Sequence, residues 1–317
     1  MPTSPLISVV IPAYQAEKTL GAAISSVLTQ TYPKTQIVVC SDGCTDATED
    51  IARAYGERVR LVVQPNSGCG AARNTALRHA DGELVALLDA DDIWMPHHLE
   101  KALAAWRAAG GGRQIVTTNA YFLTSEGIAP HRRVIHQAVP PEEQRMRLLE
   151  GPAISIFSVF PRALAEEIGG FDSELRTVED YDFWLRAVFR GWRIVFQMEP
   201  SALYRRTGSS LSADIDQLGE HEQTVMHKLL DSSEVTLSAE ERAVVEKRIR
   251  LGPAIVHIRR GEQALARGDS RAAAEAFAVA SELLPSNRGL RRKTRLSRLP
   301  LTAPLLVRAQ NRRLRET

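Results

Sequence analysis

The sequence predicts an α/β fold of the Rossmann-like kind, with a mostly parallel sheet flanked by helices, followed by an all-α C-terminal region. From residue 6 to residue 88, short β-branched runs alternate with amphipathic stretches, which indicates parallel strands joined by helices. Polar and acidic loops follow those runs, at the positions where open α/β sheets bind ligands. Beyond about Asp214 no strand signal remains, and helical periodicity continues to about Leu284.

The elements of the first half follow in chain order. Strands are predicted at 6–11 (ended by Pro12), 36–40, 58–63 and 84–88, and helices at 16–30, 46–55 and 71–79. The pattern loosens after Pro96, where we expect helices at 97–108, 142–149, 161–168 and 178–190 and extended segments at 114–124, 154–160, 194–196 and 202–205. Two domains follow: a ligand-binding one at 1–213 and a helical one at 214–317.

Composition excludes several classes of protein. The 317 residues carry a net charge of only +2, which gives no general attraction to nucleic acid. Three cysteines (Cys40, Cys44 and Cys69) predict reduced thiols rather than a disulfide framework. No signal sequence or membrane span is visible, so we expect a cytoplasmic protein. The tail 288–317, with ten Lys/Arg and one acid, could hold it at the inner face of a membrane or remain solvated.

Three carboxylates lie in a four-residue window directly after the predicted strand 84–88: Asp89, Asp91 and Asp92. Like charges this close raise each other's pKa, and a divalent cation such as Mg²⁺ or Mn²⁺ is the simplest group to stabilise them. The cluster is therefore a candidate metal site. An Asp-x-Asp pair alone occurs often by chance, so the prediction depends on the motifs around it.

Two loops after earlier strands could hold a nucleotide. Pro12-Ala13-Tyr14 follows the first strand, and the ring of Tyr14 could stack on a base or equally pack on the next helix. Asp42, after the second strand, could accept a hydrogen bond from the ring N–H of uracil or guanine, which adenine and cytosine lack. Asp-Gly also marks a turn, and Asp46 is well explained as a helix cap.

Two further motifs carry charge. In Asn66-Ser67-Gly68-Cys69-Gly70-Ala71-Ala72-Arg73, glycines precede a helix whose start favours an anion, and Arg73 could clamp a phosphate or a base edge. A plain loop-to-helix junction is the competing interpretation. Glu179, Asp180 and Asp182 cluster at a helix start, where they could simply offset the helix dipole. Asp180 is the candidate general base.

These elements, in this order and at these distances, resemble the family 2 glycosyltransferases of the GT-A fold over roughly residues 6–212. Four positions depart from the family's motifs. Gln15 replaces the Asn of Pro-x-Tyr-Asn, and Ser41 and Cys44 replace the first Asp and the Ser of Asp-Asp-Gly-Ser-Thr-Asp. Thr207 stands where the family usually has His, two residues after the Arg of its late motif.

The resemblance implies roles for particular residues. Asp180 would be the catalytic base, and Asp91 with Asp89 would bind Mn²⁺ or Mg²⁺. Donor binding would fall to Pro12, Ala13, Tyr14, Asp42, Asn66, Arg73, Asp89 and Ala90. Supporting roles are expected for Glu17, Glu179, Trp184 and Arg205.

The reaction implied is inverting transfer of a sugar from a nucleotide-sugar, in glycan or polysaccharide synthesis. A UDP-sugar is favoured, with GDP- and dTDP-sugars open, and the acceptor could be a glycan, a lipid-linked or a protein hydroxyl. A nucleotidyltransferase is the second hypothesis, but residues 6–18 lack the basic Gly-rich signature it needs. A non-catalytic nucleotide-sugar-binding or interaction protein is the third, and the intact Asp89, Asp91 and Asp180 argue against it.

The C-terminal region contains a predicted helix pair at about 248–285. Gly261, Ala273, Phe277, Ala280 and Pro285 have the spacing of a single tetratricopeptide-like repeat, with Gly268-Asp269 as its turn. His257 and Ala264 stand where that repeat usually has larger aromatic residues, so an ordinary helical hairpin is the alternative. Such helices could dock an acceptor, a partner protein or a second copy in a homo-oligomer.

Overall fold

The structure is a computed structural model that describes residues 4–206, 215–285 and 287–298. The chain divides into two compact units, the first made of 1–148 with 152–211 and the second of 149–151 with 212–317. We call them the α/β unit and the helical unit. The predicted domain boundary at 213 lies outside the described residues. In the part of the chain that is described, no helix is both long and apolar enough to cross a bilayer.

The α/β unit is built on one nine-stranded sheet with the order β3-β2-β1-β4-β8-β6-β9-β5, and β7 pairs with β6 beside this path. The strands are β1 Ile7–Ala13, β2 Thr35–Asp42, β3 Arg60–Gln64, β4 Leu84–Leu87, β5 Ile93–Trp94, β6 Gln114–Thr124, β7 Gly127–Arg133, β8 Ser158–Pro161 and β9 Arg193–Arg205. The first four predicted strands are all present, and they pair in parallel as expected.

The first strand extends past its predicted end. Pro12 does not stop β1 but pairs in register with Cys40 of β2. The pairing of β1 with β4 ends at Val10 and Leu87, so Pro12 lies where β1 has already lost one of its two neighbours. A proline has no N–H for a ladder and is tolerated where a strand is paired on one side only.

The second half of the sheet is mixed rather than mostly parallel. β8 runs antiparallel to β4 and β6, β5 runs antiparallel to β9, and β6 runs parallel to β9. The predicted extended segments 194–196 and 202–205 are one continuous strand, β9. The two strands β5 and β7 were not predicted, because β5 is two residues long and β7 carries no alternating apolar pattern.

Helices flank this sheet. They are α1 Leu20–Leu28, α2 Thr48–Arg53, α3 Cys69–Arg78, α4 His98–Ala108, α5 Gln144–Glu150, α6 Arg162–Ile168 and α7 Glu179–Phe189. Gly169 closes α6 in the left-handed conformation, with φ of 79°, as its sequence predicts. The core of the unit is formed by the fully buried β1 and β4 together with the apolar faces of α1 and α4.

The helical unit contains α8 Ile215–Asp231, α9 Ala239–Leu251, α10 Ala254–Ala266, α11 Ser270–Leu283 and α12 Arg288–Ser297. α10 and α11 are the predicted helix pair, and they turn at Gly268-Asp269. Phe277 of α11 packs directly on Gly261 of α10, where an added Cβ would lie 2.6 Å from the ring. This close approach explains the small residue at 261, but the likeness to a tetratricopeptide repeat stays a prediction.

Candidate functional site

Three acidic side chains converge directly after β4. Carboxylate oxygens of Asp89, Asp91 and Asp92 lie within 4.8 Å of one another. β4 is buried along its whole length, so the chain emerges from the core at Leu88 and turns, with the Asp92 N–H donating to the Asp89 carbonyl at 3.1 Å. Asp89 and Asp91 are partly exposed, and Asp92 lies beneath them at 1% exposure.

The three carboxylates oppose each other's ionisation. Burial, and then the charge of Asp89, raises the pKa of Asp91 to about 6. Burial and the other two carboxylates raise the pKa of Asp92 well above its ordinary value. One Asp92 oxygen accepts from the Arg205 N–H at 2.8 Å, and the other has no hydrogen-bond partner among the described residues. A buried carboxylate oxygen without a partner is costly unless a proton or a cation is bound there.

Arg73 joins this cluster to the second acidic motif. Its guanidinium donates to Asp89 Oδ1 at 2.8 Å and also to Glu179 Oε1, and its side chain is only 3% exposed. The sequence suggested that Arg73 clamps a phosphate or a base edge. In the structure its partners are two carboxylates, and it holds Asp89 and Glu179 in one place. Its contact with a nucleotide stays a prediction.

The loop between α6 and α7 is fixed to α3 next to Arg73. The Asn74 side chain accepts from the Phe171 N–H at 2.8 Å and donates to the Phe171 carbonyl at 2.7 Å. At Gly170, where φ is +77°, a Cβ would lie 2.5 Å from the Asn74 amide oxygen. Both the backbone conformation and the close approach therefore require glycine at 170. The Gly-Gly-Phe-Asp motif positions the start of α7.

Asp180 stands at that helix start, next to the Arg73–Glu179 pair. Burial, and then the charge of Glu179, raises the pKa of Asp180 to about 6, although Arg73 opposes the rise. Val178 precedes this segment with φ of 57°, a left-handed conformation that is rare for a β-branched residue. Such strain costs on the order of 1–3 kcal/mol and clusters at functional sites. The predicted base is thus a partly buried carboxylate on a constrained backbone.

Asp42 lies at the carboxyl end of β2 and is held by three donors. Its Oδ1 accepts from Gln64 Nε2 at 2.7 Å and from the Ser67 N–H at 2.8 Å, and its Oδ2 accepts from the Gly68 N–H at 2.9 Å. Gln64 is oriented in turn by Thr75, whose hydroxyl donates to Gln64 Oε1 at 2.5 Å. A carboxylate has about four acceptor sites, so Oδ2 retains capacity for one more donor.

The remaining nucleotide-site predictions fall at the same edge of the sheet. Pro12 and Ala13 are buried in β1, whereas the Tyr14 ring after them is 58% exposed. Glu17 is exposed and accepts from the Ala47 N–H at 3.3 Å. The Asn66 side chain is exposed in the loop before α3, where it accepts from Arg176 at 3.4 Å. Ala13 pairs with Ser41, so Tyr14 and Asp42 both follow this pair at the same edge of the sheet. An exposed aromatic ring there is a suitable surface for a planar base.

The end of β9 contributes two residues to the acidic cluster. The Arg205 side chain donates to the Asp91 carbonyl at 2.7 Å, and the supporting role expected of it stays a prediction. Burial and the charges of Asp92, Asp89 and Asp91 raise the pKa of Tyr204 to about 12. Thr207, the departure noted in the late motif, lies outside the described residues.

Two predicted residues occupy buried packing positions. Trp184 is 1% exposed and packs against Phe160 and Phe183, which is the environment of a core residue rather than of a ligand contact. Ala90 is 7% exposed between the two partly exposed carboxylates. The sequence analysis missed Gln64, Thr75 and Asn74, because isolated polar residues on a strand or helix carry no motif of their own.

The donor set suits a hard divalent cation. Mg²⁺ and Mn²⁺ take carboxylate oxygens as ligands, and the acidic cluster offers several within one small volume together with an unpartnered oxygen on Asp92. Arg73 is the buried cation beside this cluster, and it is already shared between two carboxylates. The residues present therefore fit a metal ion at Asp89 and Asp91.

Comparison with known proteins finds relatives that are named as glycosyltransferases. Residues 8–169 match the family model described as Glycosyl transferase family 2. An uncharacterized glycosyltransferase of Rickettsia prowazekii is 28% identical over 225 residues, 69% of this chain and 70% of that protein. The putative teichuronic acid biosynthesis glycosyltransferase TuaG of Bacillus subtilis is 31% identical over 215 residues, 66% of this chain and 82% of the relative. Across the rickettsial relatives, the match spans between 28% and 70% of their length.

Solved structures share the fold. The S. aureus TarS 1–349 complex with UDP-GlcNAc has a TM-score of 0.62 at 19% identity, covering 98% of this chain and 92% of that one. The mannosyltransferase PcManGT of Pyrobaculum calidifontis, in complex with GDP-Man and Mn²⁺, has a TM-score of 0.59 at 18% identity, covering 98% and 88%. The fold is thus the GT-A-like one that the sequence predicted. Because the family model spans more than half of its residues, the chain belongs to glycosyltransferase family 2.

Proposed function

We propose that this protein is an inverting, metal-dependent glycosyltransferase that takes a nucleotide-sugar donor, with a UDP-sugar favoured. The observation that carries the proposal is Arg73, which pairs with Asp89 of the metal cluster and with Glu179, the neighbour of Asp180. Through that one guanidinium the predicted metal ligands and the predicted base belong to a single site. Structures of the same fold in complex with UDP, with UDP-GlcNAc and with GDP-Man and Mn²⁺ support a nucleotide-sugar donor.

Asp42 is the proposed base-recognition residue. The remaining acceptor capacity of its Oδ2 suits the ring N–H of uracil, with the exposed Tyr14 ring beside it as a stacking surface. Guanine also has a ring N–H, so a GDP-sugar is the alternative donor to test. Adenine and cytosine have no such donor and are expected to bind poorly.

Asp91 and Asp89 would hold the divalent cation. When bound, the ion supplies Lewis-acid stabilisation of the negative charge that develops on the diphosphate as the sugar–phosphate bond breaks. Arg73 fixes Asp89 in position, and Arg205 fixes the backbone at Asp91 and Asp92. These contacts pre-organise the ligands, which lowers the cost of assembling the site around the donor.

Asp180 would remove the proton from the acceptor hydroxyl as that oxygen attacks the anomeric carbon. Its pKa of about 6 leaves the carboxylate ionised at neutral pH yet basic enough to take a proton. A single displacement inverts the configuration at the anomeric carbon and needs no covalent sugar–enzyme intermediate. The rate is expected to rise with pH through about 6, because protonated Asp180 cannot act as a base.

Release of nucleoside diphosphate tests the proposal. UDP-glucose, UDP-GlcNAc and GDP-mannose are supplied with Mn²⁺, with and without EDTA, and with water or a mixture of saccharide acceptors. We expect release by the wild-type protein from one donor, its loss with EDTA, and a fall of about 10²- to 10⁴-fold in Asp180→Asn. Donor affinity, measured by calorimetry, should be nearly unchanged in that variant.

Asp50→Asn is the matched control, because Asp50 is an exposed carboxylate on α2 in the same unit. It should retain wild-type release. Donor binding without any release would favour a nucleotide-sugar-binding protein instead. Full activity of Asp180→Asn would remove Asp180 as the base, and EDTA-resistant release would remove the metal.

The acceptor is proposed only by class. The name of one relative in Escherichia coli, 41% identical over 101 residues that make up 31% of this chain and 40% of that protein, specifies a diphosphoundecaprenol-linked acceptor and a UDP-Glc donor. Together with TuaG, this supports synthesis of a bacterial surface polysaccharide on a lipid-linked hydroxyl. Transfer of radiolabelled sugar into a lipid-extractable product would test that class against soluble glycans and proteins.

A further inference from the structure

α12 separates its charges from its packing residues. Leu290, Thr294 and Ser297 are buried, and Leu290 belongs to the same apolar cluster as Phe277. On the opposite side lie exposed arginines: Arg288, Arg291, Arg292 and Arg295, with Arg298 just past the end of the helix. Their spacing of three, four and seven residues places them along one face. This surface, which we call the arginine face, contains no acidic residue.

The arginine face has few polar partners among the residues that the structure describes. Arg291 donates to the Pro285 carbonyl, but Arg288, Arg292, Arg295 and Arg298 form no ion pair within the described part of the chain. Three exposed helix arginines elsewhere in the described chain each have a glutamate one turn away. These pairs are Arg53–Glu49, Arg162–Glu166 and Arg271–Glu275.

Uncompensated like charges along one helix face destabilise that helix. Folding alone therefore gives no reason for this arrangement. An anionic partner does, since each guanidinium can donate to phosphate oxygens in a bidentate manner. The geometry calls for an extended anionic surface rather than one small anion, because the arginines span the length of a ten-residue helix.

The sequence that follows α12 favours a membrane over a nucleic acid. Residues 299–307 carry no charge and include five Leu or Val side chains, and four further arginines occur between 308 and 315. A combination of basic and apolar residues is typical of segments that bind the membrane interface. No aromatic residue occurs between 286 and 317, so this region offers no stacking surface for bases.

We propose that the arginine face of α12 binds the surface of a membrane that contains anionic phospholipids, with Arg288, Arg292 and Arg295 contacting headgroup phosphates. This binding is independent of the reaction proposed above, because none of these residues belongs to the acidic site. Attachment by this helix would hold the enzyme where lipid-linked acceptors are found. It would be reversible, since a single basic helix is a weak anchor at physiological salt.

Co-sedimentation with lipid vesicles tests the proposal. The full-length protein is mixed with vesicles of phosphatidylcholine alone, or with 30 mol% phosphatidylglycerol, at low, physiological and high NaCl. We expect binding only to the anionic vesicles and a loss of binding as salt rises. Each basic residue near such a surface contributes roughly a fivefold gain in affinity, so the triple variant R288Q/R292Q/R295Q should bind about a hundredfold more weakly.

A matched triple variant controls for net charge. R260Q/R267Q/R271Q removes the same three charges from exposed positions elsewhere in the helical unit, and it should bind like the wild type. Unchanged thermal unfolding of both variants confirms that each is folded. If the two variants bound anionic vesicles equally weakly, net charge alone would explain the loss of binding, and the proposal would be overturned.

Two other results would also overturn it. The first is equal binding of the wild type to neutral and anionic vesicles. The second is tighter binding to an RNA or DNA oligonucleotide than to anionic vesicles at the same phosphate concentration, which would assign the arginine face to nucleic acid. Neither result would bear on nucleotide-sugar turnover, so failure here is distinguishable from failure of the proposed reaction.

Discussion

Each unit of the molecule buries an arginine, and the two arginines are treated differently. Arg248 of the helical unit is paired with Glu222 at 2.5 Å, with side-chain exposures of 4% and 5%. Arg73 of the α/β unit is equally buried but is shared between Asp89 and Glu179, with Asp91, Asp92 and Asp180 close by. One pair is balanced, and the other cluster has an excess of carboxylates.

A balanced buried ion pair and a cluster with excess carboxylates have different energetic consequences. A balanced buried pair can be replaced by apolar residues with little loss of stability, because desolvation offsets most of the attraction. A cluster with excess negative charge raises pKa values and is stabilised by a cation that the protein does not itself provide. In the helical unit the buried charges neutralise each other. The α/β unit keeps an excess of negative charge, which a bound metal ion would neutralise.

The largest effects are expected when the buried ion pairs of the two units are replaced. Arg73→Leu and Arg248→Leu should each destabilise the protein by about 3–5 kcal/mol, because a buried carboxylate loses its partner. The double variants Arg73→Leu/Glu179→Leu and Arg248→Leu/Glu222→Leu should recover much of that loss in denaturant unfolding. Only the second should recover nucleoside diphosphate release. Equal recovery of activity in both would show that the Arg73 cluster is merely structural.

A buried histidine adds a pH dependence to the α/β unit. Burial lowers the pKa of His98 to about 3; its Nδ1 contacts Ser201, and its ring stacks on Trp94. Below about pH 6.5 the unfolded chain binds a proton at His98, whereas the folded state does not. The contribution of neutral His98 to the free energy of unfolding is therefore fully present above that pH. It is lost as pH falls towards 3, by about 1.4 kcal/mol per pH unit.

Urea unfolding of the wild type and His98→Gln at pH 7, 5.5 and 4.5 measures this effect. His98→Gln should be less stable at pH 7, because it loses the stacked ring, but its stability should decrease less steeply with acid. Parallel pH profiles for the two proteins would contradict the assignment. No buried histidine occurs among the described residues of the helical unit, so the effect belongs to the α/β unit.

The packing of the helical unit can be tested at Gly261. An added Cβ would meet the fully buried Phe277 ring at 2.6 Å, so Gly261→Ala should destabilise by about 1–3 kcal/mol despite the better helix propensity of alanine. Gly21 on α1 is the control, because its Cβ would find ordinary contacts at 3.8 Å. Gly21→Ala should stabilise by about 0.5–1 kcal/mol. Thermal unfolding distinguishes the two directions.

The smallest effect is expected at Gln64, which donates to Asp42. Gln64→Leu removes one of three donors to that carboxylate and should weaken UDP binding by about five- to tenfold, corresponding to roughly 1 kcal/mol. The preference for UDP over CDP should narrow as well. Gln36→Leu, in the first half of β2, is the matched control and should leave UDP affinity unchanged. Titration calorimetry with UDP and CDP in the presence of Mn²⁺ provides both values.

Prediction from sequence succeeded where the signal was local. Strands β1 to β4 were found because each is a short β-branched run bounded by turn residues, and the run 114–124 was placed at its observed bounds. Prediction was less successful for strands whose pairing partners are distant in the sequence. β5 is a strand only because two residues meet Ala202 and Leu203 of β9, more than a hundred positions away.

The sequence identified the residues of the acidic motifs, but it did not show that they lie together in space. Nothing in the sequence around 73 or 179 specifies that these side chains meet, because they lie 106 positions apart. The structure also shows that Trp184 is buried and that Arg73 has two carboxylate partners, neither of which the sequence indicated. Side-chain direction on a helix depends on what packs against it, which a single sequence does not state.

The sequence alone was enough to predict the class of fold, the resemblance to the family and the candidate carboxylates of the site, since periodicity and short motifs are properties of neighbouring residues. Only the tertiary structure decided which of those residues meet. It brought Arg73 between Asp89 and Glu179 and placed Gln64 against Asp42. Within the described residues, it gave the arginines of α12 no acidic partner. The physical reason is that burial, pKa and ion pairing depend on the distance between residues in space.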